Sequence, residues 1–274
     1  MDFKLEGKRA LVTGSTAGIG FAIAQALLEE GAEVWINGRT QARVDQALER
    51  LRASSSAHSS SAQKAQGGEV HGLAADVGTQ AGCDALVAGL PEVDVLVNNV
   101  GIFDAKAFEE IPDADWLRFY EVNVLSGVRL SRAYLPGMRA RSWGRILFIS
   151  SESALQIPAE MIHYGMTKTA QLAIARGLAE TTRGTQITVN ALLPGPTRSE
   201  GVGQFVEGLA KKQGVVAEEV ERRFFEQMRP SSLLQRFETP EEVAALVAFV
   251  ASPRASGVNG AALRVDGGVV RAVG

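Results

Sequence analysis

Two side chains that can move protons stand four residues apart in Tyr164-Gly165-Met166-Thr167-Lys168. Residues at that spacing share one face of a helix, so the phenol and the ammonium can reach one pocket. A phenol ordinarily has a pKa of about 10, and a nearby cation lowers it toward the range useful for acid–base catalysis. The spacing therefore predicts an acid or base, Tyr164, whose pKa is lowered by Lys168, although such a pair alone is more often a solvated helix face.

Further polar residues stand where strands are expected to end. Ser150-Ser151 ends one apolar run, Asn98-Asn99-Val100-Gly101 ends another, and Asn123 lies inside a long helical pattern. Because the carboxyl ends of parallel strands border the ligand crevice of a doubly wound sheet, these side chains are expected near Tyr164. Glu152 follows Ser151, and it either faces the substrate or is a solvated charge at the end of the strand.

Short apolar runs alternate with longer helical patterns, which predicts one doubly wound, mostly parallel seven-stranded α/β sheet with helices on both faces. We expect a single Rossmann-type domain over residues 1–274. The predicted strands are Arg9–Thr13, Glu33–Asn37, Val70–Ala74, Val93–Asn98, Arg145–Ser150, Gln186–Leu193 and Ala262–Val265. The predicted helices are Gly18–Glu30, Gln41–Arg52, Ala81–Leu90, Asp113–Arg141, Ala159–Thr182 and Pro240–Ala251.

Two segments depart from the alternation of strands and helices. The Ser-, Ala- and Gln-rich segment Ala53–Gly68 has little to bury and is predicted to be a mobile surface loop. The segment Thr197–Arg236 inserts amphipathic helical patterns near Gly201–Lys212 and Ala217–Met228. Its position before the last helix predicts a lid over a substrate pocket, at about residues 197–236.

A glycine-rich loop, Thr13-Gly14-Ser15-Thr16-Ala17-Gly18-Ile19-Gly20, connects the first strand to the first helix. Glycines allow the backbone to turn tightly and to approach a pyrophosphate, whose charge is favoured by free N–H groups at a helix N-terminus. No Lys follows Gly20, which argues against a nucleoside-triphosphate loop. The loop predicts a dinucleotide site, with a purely structural glycine turn as the alternative.

The end of the second strand indicates which dinucleotide binds. An acid normally accepts the ribose hydroxyls of NAD at this distance from the loop, but here the sequence is Asn37-Gly38-Arg39. The planar, permanently charged guanidinium of Arg39 suits a 2′-phosphate, so NADP(H) is the preferred cofactor, with NAD(H) as an alternative. The alternative for Arg39 is an ordinary surface arginine in a turn.

Composition excludes several other functions. A formal net charge of -3 without a polybasic segment disfavours nucleic acid as a partner. The single cysteine, Cys83, and three scattered histidines predict neither a disulfide nor a metal site. The N-terminus lacks the apolar core of a signal peptide, and no apolar run reaches the roughly 20 residues of a membrane span. We therefore expect a cytoplasmic protein.

Together, these motifs closely resemble the classical short-chain dehydrogenase/reductase family, from the glycine loop to Val265-Asp266-Gly267-Gly268. The resemblance implies that Tyr164 protonates a carbonyl oxygen, Ser151 is its hydrogen-bonding partner and Lys168 holds the nicotinamide ribose. It implies that Asn123 anchors a water that links Lys168 to solvent. The implied cofactor-binding residues are Gly14, Ser15, Gly18, Ile19, Gly20, Arg39, Asp76, Val77, Asn99, Gly101, Tyr164, Lys168, Pro194, Gly195, Thr197 and Ser199.

The chain differs from the usual family pattern at Val100, Ala154 and Ser199, so either Thr197 or Ser199 is expected to contact the nicotinamide amide. The implied activity is NADP(H)-dependent interconversion of a small ketone and a secondary alcohol, most like the 3-oxoacyl-(acyl-carrier-protein) reductases. The alternatives are a sugar or polyol dehydrogenase and a silent NADP-binding sensor. The resemblance also implies a homotetramer or homodimer.

An acyl-carrier substrate would favour a basic patch near the pocket mouth. The candidates for it, which are equally consistent with a solvated helix face, are Arg129, Arg132, Arg139 and Arg141.

Overall fold

The computed structural model describes residues 2–57 and 68–273, and within them the strands form one parallel sheet. The strands are β1 (Arg9–Val12), β2 (Glu33–Gly38), β3 (Val70–Ala74), β4 (Val95–Asn98), β5 (Trp143–Ile149), β6 (Gln186–Pro194) and β7 (Ala262–Val265). Their order is β3-β2-β1-β4-β5-β6-β7. This confirms the predicted doubly wound seven-stranded fold. The strand order changes direction between β1 and β4, where such sheets bind ligands.

The described helices cover both faces of the sheet. They are α1 (Gly18–Glu29), α2 (Gln41–Ala57), α3 (Gln80–Gly89), α4 (Asp113–Tyr120), α5 (Ser126–Ala140), α6 (Ile162–Glu180), α7 (Glu200–Gln213), α8 (Ala217–Gln227) and α9 (Pro240–Ala251). None of the helices in the described part of the chain combines the length and the apolar character that crossing a membrane requires.

Alternate residues of the central strands enter two hydrophobic cores, one on each face of the sheet. Val12 and Val97 belong to the core that includes residues of α1 and α9. Leu11 and Leu96 point the other way, into the core that includes residues of α3, α5 and α6. Because side chains alternate along a strand, a strand buried on both faces is apolar throughout, which is why β1 and β4 are visible in the sequence.

The predicted helix Asp113–Arg141 is wrong as a single element. It divides into α4, a π-helical segment at Glu121–Leu125, and α5. A π turn admits one more residue than an α turn and is frequent at functional sites. Here it contains Asn123, whose side chain is fixed by hydrogen bonds described below. No residue type marks a π turn in the sequence.

The predicted loop Ala53–Gly68 is also wrong at its start, since α2 continues to Ala57. No glycine or proline interrupts residues 53–57, and the Ser54 hydroxyl donates to the Leu51 carbonyl oxygen at 2.9 Å. The continuing backbone ladder therefore meets no helix breaker. The remainder of the prediction, residues 58–67, lies outside the described residues.

The segment between β6 and α9 forms the two helices expected there, α7 and α8. They have a small hydrophobic core of their own, apart from the two cores of the sheet. Its buried members are Val206, Ala210, Val220, Phe225 and Phe237. The segment therefore packs as a separate layer beside the carboxyl ends of the strands.

Candidate active site

The glycine loop has the backbone shape that a dinucleotide site needs. Gly14 and Gly18 have φ of 61° and 56°, in the left-handed region that favours glycine. A Cβ on Gly20 would lie 2.5 Å from both Asn99 Nδ2 and the Gly14 carbonyl oxygen. The side chain of Ala17, the residue before α1, makes no capping hydrogen bond. It therefore leaves the first N–H groups of α1 available to an anion.

Asn99 and Ser15 brace this loop from within. Asn99 Nδ2 donates to the carbonyl oxygens of Thr13 and Gly14 at 2.9 and 3.1 Å. The buried Ser15 hydroxyl donates to the Val12 carbonyl oxygen at 2.6 Å and accepts from the Asn37 N–H at 2.9 Å. Both side chains therefore hold the turn in shape, whichever ligand binds beside it.

Arg39, which follows β2, has an exposed guanidinium. It makes no hydrogen bond or ion pair with the residues the structure describes. Asn37 is buried and donates to the carbonyl oxygens of Leu73 and Ala75, which ties β2 to β3. Asp76 is exposed and accepts from the Gly78 N–H at 3.1 Å, while Val77 is buried in the core.

Tyr164 and Lys168 lie one turn apart on α6 and face the same cavity. The Lys168 ammonium is 5.5 Å from the centroid of the Tyr164 ring and donates to the Ile149 carbonyl oxygen at 2.9 Å. Burial lowers the pKa of Lys168 to about 8. The Ser150 hydroxyl donates to the Lys168 carbonyl oxygen at 2.9 Å, so the end of β5 fixes α6 at this point.

Tyr164 has a raised rather than a lowered pKa. Burial raises the pKa of the phenol and Glu152 adds to this effect, whereas a hydrogen bond with Ser151 and the charge of Arg229 lower it. The prediction that Lys168 brings the phenol toward neutrality is therefore wrong for this geometry, because desolvation dominates. Tyr164 is protonated near neutral pH.

Asn123 is held on three sides. Its Oδ1 accepts from the Ile102 N–H at 2.7 Å, and its Nδ2 donates to the Ile102 carbonyl oxygen and to Thr167 Oγ1 at 2.9 and 3.0 Å. Its own carbonyl oxygen accepts from Gln171 Nε2 at 2.6 Å. Gly101 lies close to both Asn123 and Lys168, since a Cβ at this position would be 3.3 Å from Lys168 Nζ. The π turn thus joins α6 to the loop after β4.

Ser151 follows β5 and is buried together with Glu152. The Ser151 hydroxyl hydrogen bonds to Glu152 Oε2, which also accepts from the N–H and hydroxyl of Ser153 at 2.8 and 3.1 Å. Glu152 Oε1 accepts from Arg229 Nε at 3.2 Å, and the Glu152 side chain is only 6% exposed. The alternative of a solvated charge is therefore wrong, because Glu152 is a buried, paired carboxylate inside the cavity.

The loop after β6 is closed by a buried acid that the sequence did not indicate. Glu238 accepts from the Gly195 N–H at 3.2 Å, and burial raises the pKa of Glu238 to about 7. The Thr197 hydroxyl donates to the Gly195 carbonyl oxygen at 2.9 Å, while Ser199 Oγ caps α7 by accepting from the Val202 N–H. The choice between Thr197 and Ser199 stays open.

These elements enclose a cavity of about 960 Å³. It is lined by residues of α7 and α8 and by the predicted residues Ile19, Asn99, Gly101, Ser151, Tyr164, Lys168, Pro194, Gly195, Thr197 and Ser199. The sequence analysis missed Glu160, Arg229 and Glu238. Each is a charged residue of ordinary type, and only its three-dimensional neighbours identify it.

Other residues that could react or bind a metal are not part of this site. His163 is fully buried, with its ring 4.1 Å from that of Phe119, so it packs as expected. Cys83 is buried, and burial raises the pKa of its thiol to about 11. In the described ranges, no group of acidic, histidine and cysteine side chains could hold a metal ion.

The four arginines considered for a basic patch do not line the cavity. Arg129 pairs with Glu121, Arg139 donates to the Thr181 carbonyl oxygen, and Arg141 donates to that of Val93. Neither these arginines nor Arg132 belongs to the described lining of the cavity.

Comparison with known proteins gives consistent relatives along the whole chain. The family model described as enoyl-(acyl carrier protein) reductase matches residues 14–270. The chain is 48% identical over 273 residues to the uncharacterized oxidoreductase YvaG of Bacillus subtilis (strain 168), with 100% of both chains covered. It is 34% identical to D-beta-hydroxybutyrate dehydrogenase of Cupriavidus necator, covering 97% of this chain and 99% of that protein.

Among solved structures, L-sorbose reductase from Gluconobacter frateurii, complexed with NADPH and L-sorbose, superimposes with a TM-score of 0.89. The two sequences are 31% identical, and 100% of each chain is covered.

Proposed function

This chain belongs to the short-chain dehydrogenase/reductase family, and we propose that it reduces a ketone to a secondary alcohol with NADPH, with Tyr164 as the proton donor. Family membership makes it an oxidoreductase of CH–OH and C=O groups. The observation that supports the finer proposal is the meeting of Tyr164, Lys168 and Ser151 in one cavity beside the glycine loop. A cofactor-binding sensor without turnover would not need all three of these reactive side chains.

The residues present fit a bound dinucleotide. The left-handed glycines and the uncapped start of α1 would hold its pyrophosphate, and Asp76 would lie near the adenine. Arg39 has no partner in the described chain, so its guanidinium is free for a 2′-phosphate, which favours NADPH over NADH. Solved relatives bind NADPH, which supports the use of a nicotinamide cofactor.

When bound, the nicotinamide supplies the hydride. Tyr164 holds its proton near neutral pH because burial raises its pKa, and it donates that proton to the carbonyl oxygen as negative charge develops there. The Ser151 hydroxyl turns from Glu152 to the same oxygen. Lys168 would hold the nicotinamide ribose, and Asn123, which is fixed in the π turn, would anchor the water through which Tyr164 regains its proton.

The segment of residues 197–236 acts as the lid, because α7 and α8 line the cavity and would exclude water when a substrate is bound. The close superposition on L-sorbose reductase favours a sugar or polyol ketone over an acyl-carrier substrate, as does the lack of a basic patch in the described cavity lining. A homodimer or homotetramer and a cytoplasmic location belong to the same proposal, on the resemblance to the family.

The proposal is tested with Tyr164→Phe and, as the matched control, Tyr120→Phe at an exposed tyrosine that is outside the described cavity lining. NADPH oxidation is followed by absorbance with a panel of ketones, and NADPH affinity is measured by fluorescence titration. Tyr164→Phe should lose turnover by about 10³-fold or more while keeping its NADPH affinity. Wild-type turnover in that variant would refute the mechanism.

A further inference from the structure

We propose that Glu152 and Arg229 restrict this enzyme to electrically neutral, hydroxyl-bearing ketones and make it reject ketones that carry a carboxylate. The inference rests on the proposed reductase function and names its substrate class. It comes from the charges that surround Ser151.

Glu152 places a negative charge directly beside the reacting groups. Its carboxylate contacts the Ser151 hydroxyl, and its side chain is only 6% exposed. Glu152 also raises the pKa of Tyr164, so its field reaches the phenol. A substrate carbonyl held by Ser151 and Tyr164 would therefore have this carboxylate as a neighbour.

Arg229 is the cation that balances Glu152, and two of its three guanidinium nitrogens contact described residues. It comes from the segment after α8, and its side chain is 12% exposed. Its Nε donates to Glu152 at 3.2 Å, and its Nη1 approaches Glu160 at 3.4 Å and donates to the Met228 carbonyl oxygen at 2.8 Å. One guanidinium thus serves two carboxylates, and the three charges sum to a net negative value.

The other charged groups that line the cavity do not reverse this sign. Arg223 is paired with Glu219 at 2.7 Å, and Asp104 adds a further exposed negative charge. Lys168 is bonded to the Ile149 carbonyl oxygen and, in the proposed function, serves the cofactor. Each described cation of this lining therefore already has an acidic or carbonyl partner.

A carboxylate substrate that approached Arg229 would either take the place of Glu152 or lie beside the carboxylates of Glu152 and Glu160. The exchange would leave Glu152 buried and unpaired, and the other position would bring like charges together, so both are unfavourable. A neutral substrate avoids the exchange, and its hydroxyl groups can donate to Glu152, Glu160 and Ser153, whose oxygens are hydrogen-bond acceptors. The Glu152–Arg229 pair therefore disfavours ketones that carry a carboxylate and favours neutral ketones whose hydroxyl groups donate hydrogen bonds to it.

The test compares pairs of ketones in which one CH₂OH group is replaced by a carboxylate. One pair is 4-hydroxy-2-butanone and acetoacetate, and the second is a ketohexose and the hexulosonate in which its terminal CH₂OH is a carboxylate. At pH 7 with saturating NADPH, kcat/KM for the better neutral ketone should exceed that of its anionic counterpart by about tenfold or more. Glu152→Gln should reduce this ratio by about tenfold, whereas Glu109→Gln, an exposed acid outside the described lining, should leave it unchanged.

A ratio of one or less in the wild type overturns the inference alone, because reduction still occurs. An equal loss for both ketones in Glu152→Gln overturns it too, since this would indicate a purely structural role for Glu152. If Glu152→Gln does not fold, as judged by circular dichroism, Glu160→Gln should shift the ratio in the same direction, and an unchanged ratio overturns the inference. Absence of NADPH oxidation with every ketone would overturn the proposed function, and this inference with it.

Discussion

Replacing Glu238 with glutamine is expected to change how the stability of the protein depends on pH. Glu238 is 3% exposed and accepts a hydrogen bond from the Gly195 N–H, which glutamine can also accept. Burial is the main reason that its pKa rises from 4.5 to about 7, and the negative charges of Glu242 and Asp266 add to it. Glutamine keeps the shape and the acceptor but has no proton to lose.

The size of the effect follows from that shift. The folded protein retains the Glu238 proton at pH values where the unfolded chain has released it. The associated stability is therefore fully present below about pH 4.5 and is lost as the pH rises to about 7. A difference of about 2.5 pKa units corresponds to about 3 kcal/mol, so above pH 7 Glu238→Gln should be more stable than the wild type by up to that amount.

Urea denaturation at half-unit steps between pH 5 and 8.5, followed by circular dichroism, measures this difference. The control is Glu241→Gln, which makes the same change of charge at an exposed position three residues further along the chain. The advantage of Glu238→Gln should grow with pH and then level off, while that of Glu241→Gln stays constant. An advantage for Glu238→Gln that is equal at pH 5 and pH 8 would refute the reasoning.

Three further predictions concern the cofactor site and the core. Arg39→Ala should weaken NADPH binding by about 10–100-fold and leave NADH binding unchanged in fluorescence titrations; an unaltered preference would contradict the NADPH assignment. Burial lowers the pKa of His163 from 6.5, so the stability of the wild type relative to His163→Phe should fall as the pH drops below about 6.5. An equal stability difference between the two proteins at pH 5.5 and 7.5 would count against this. Gly20→Ala should cost about 1–3 kcal/mol in urea denaturation, because its Cβ would lie 2.5 Å from Asn99 Nδ2, whereas Gly201→Ala, with open space around it, should not. Equal stabilities of the two variants would show that the loop adapts.

Much of the fold could be predicted from the sequence because its main signals are local. Strands buried on both faces are continuous apolar runs, so all the observed strands were expected at nearly their observed positions. Tyr164 and Lys168 are four residues apart on one helix, and their shared face follows from helical geometry alone. Likewise, the absence of an acid at the end of β2 is a local feature that identifies Arg39.

What could not be predicted depends on distant contacts. Glu152 and Arg229 are 77 residues apart, and nothing in their local sequences indicates that they pair. The pKa of Tyr164 depends on burial by several elements, and this reverses the direction expected from Lys168 alone. The π turn likewise reflects the bonds that Asn123 makes with the β4 loop and α6, rather than a propensity of residues 121–125.

The π turn has a consequence for insertions and deletions in this helix. Successive residues of an α-helix are separated by about 100° around its axis, so the additional residue at Glu121–Leu125 sets the rotational phase of α5 relative to α4. Deleting one residue there could restore an unbroken α-helix, yet it would rotate either Asn123 or the buried face of α5 out of position. Homologous chains should therefore vary in side chains along this stretch while keeping its length constant.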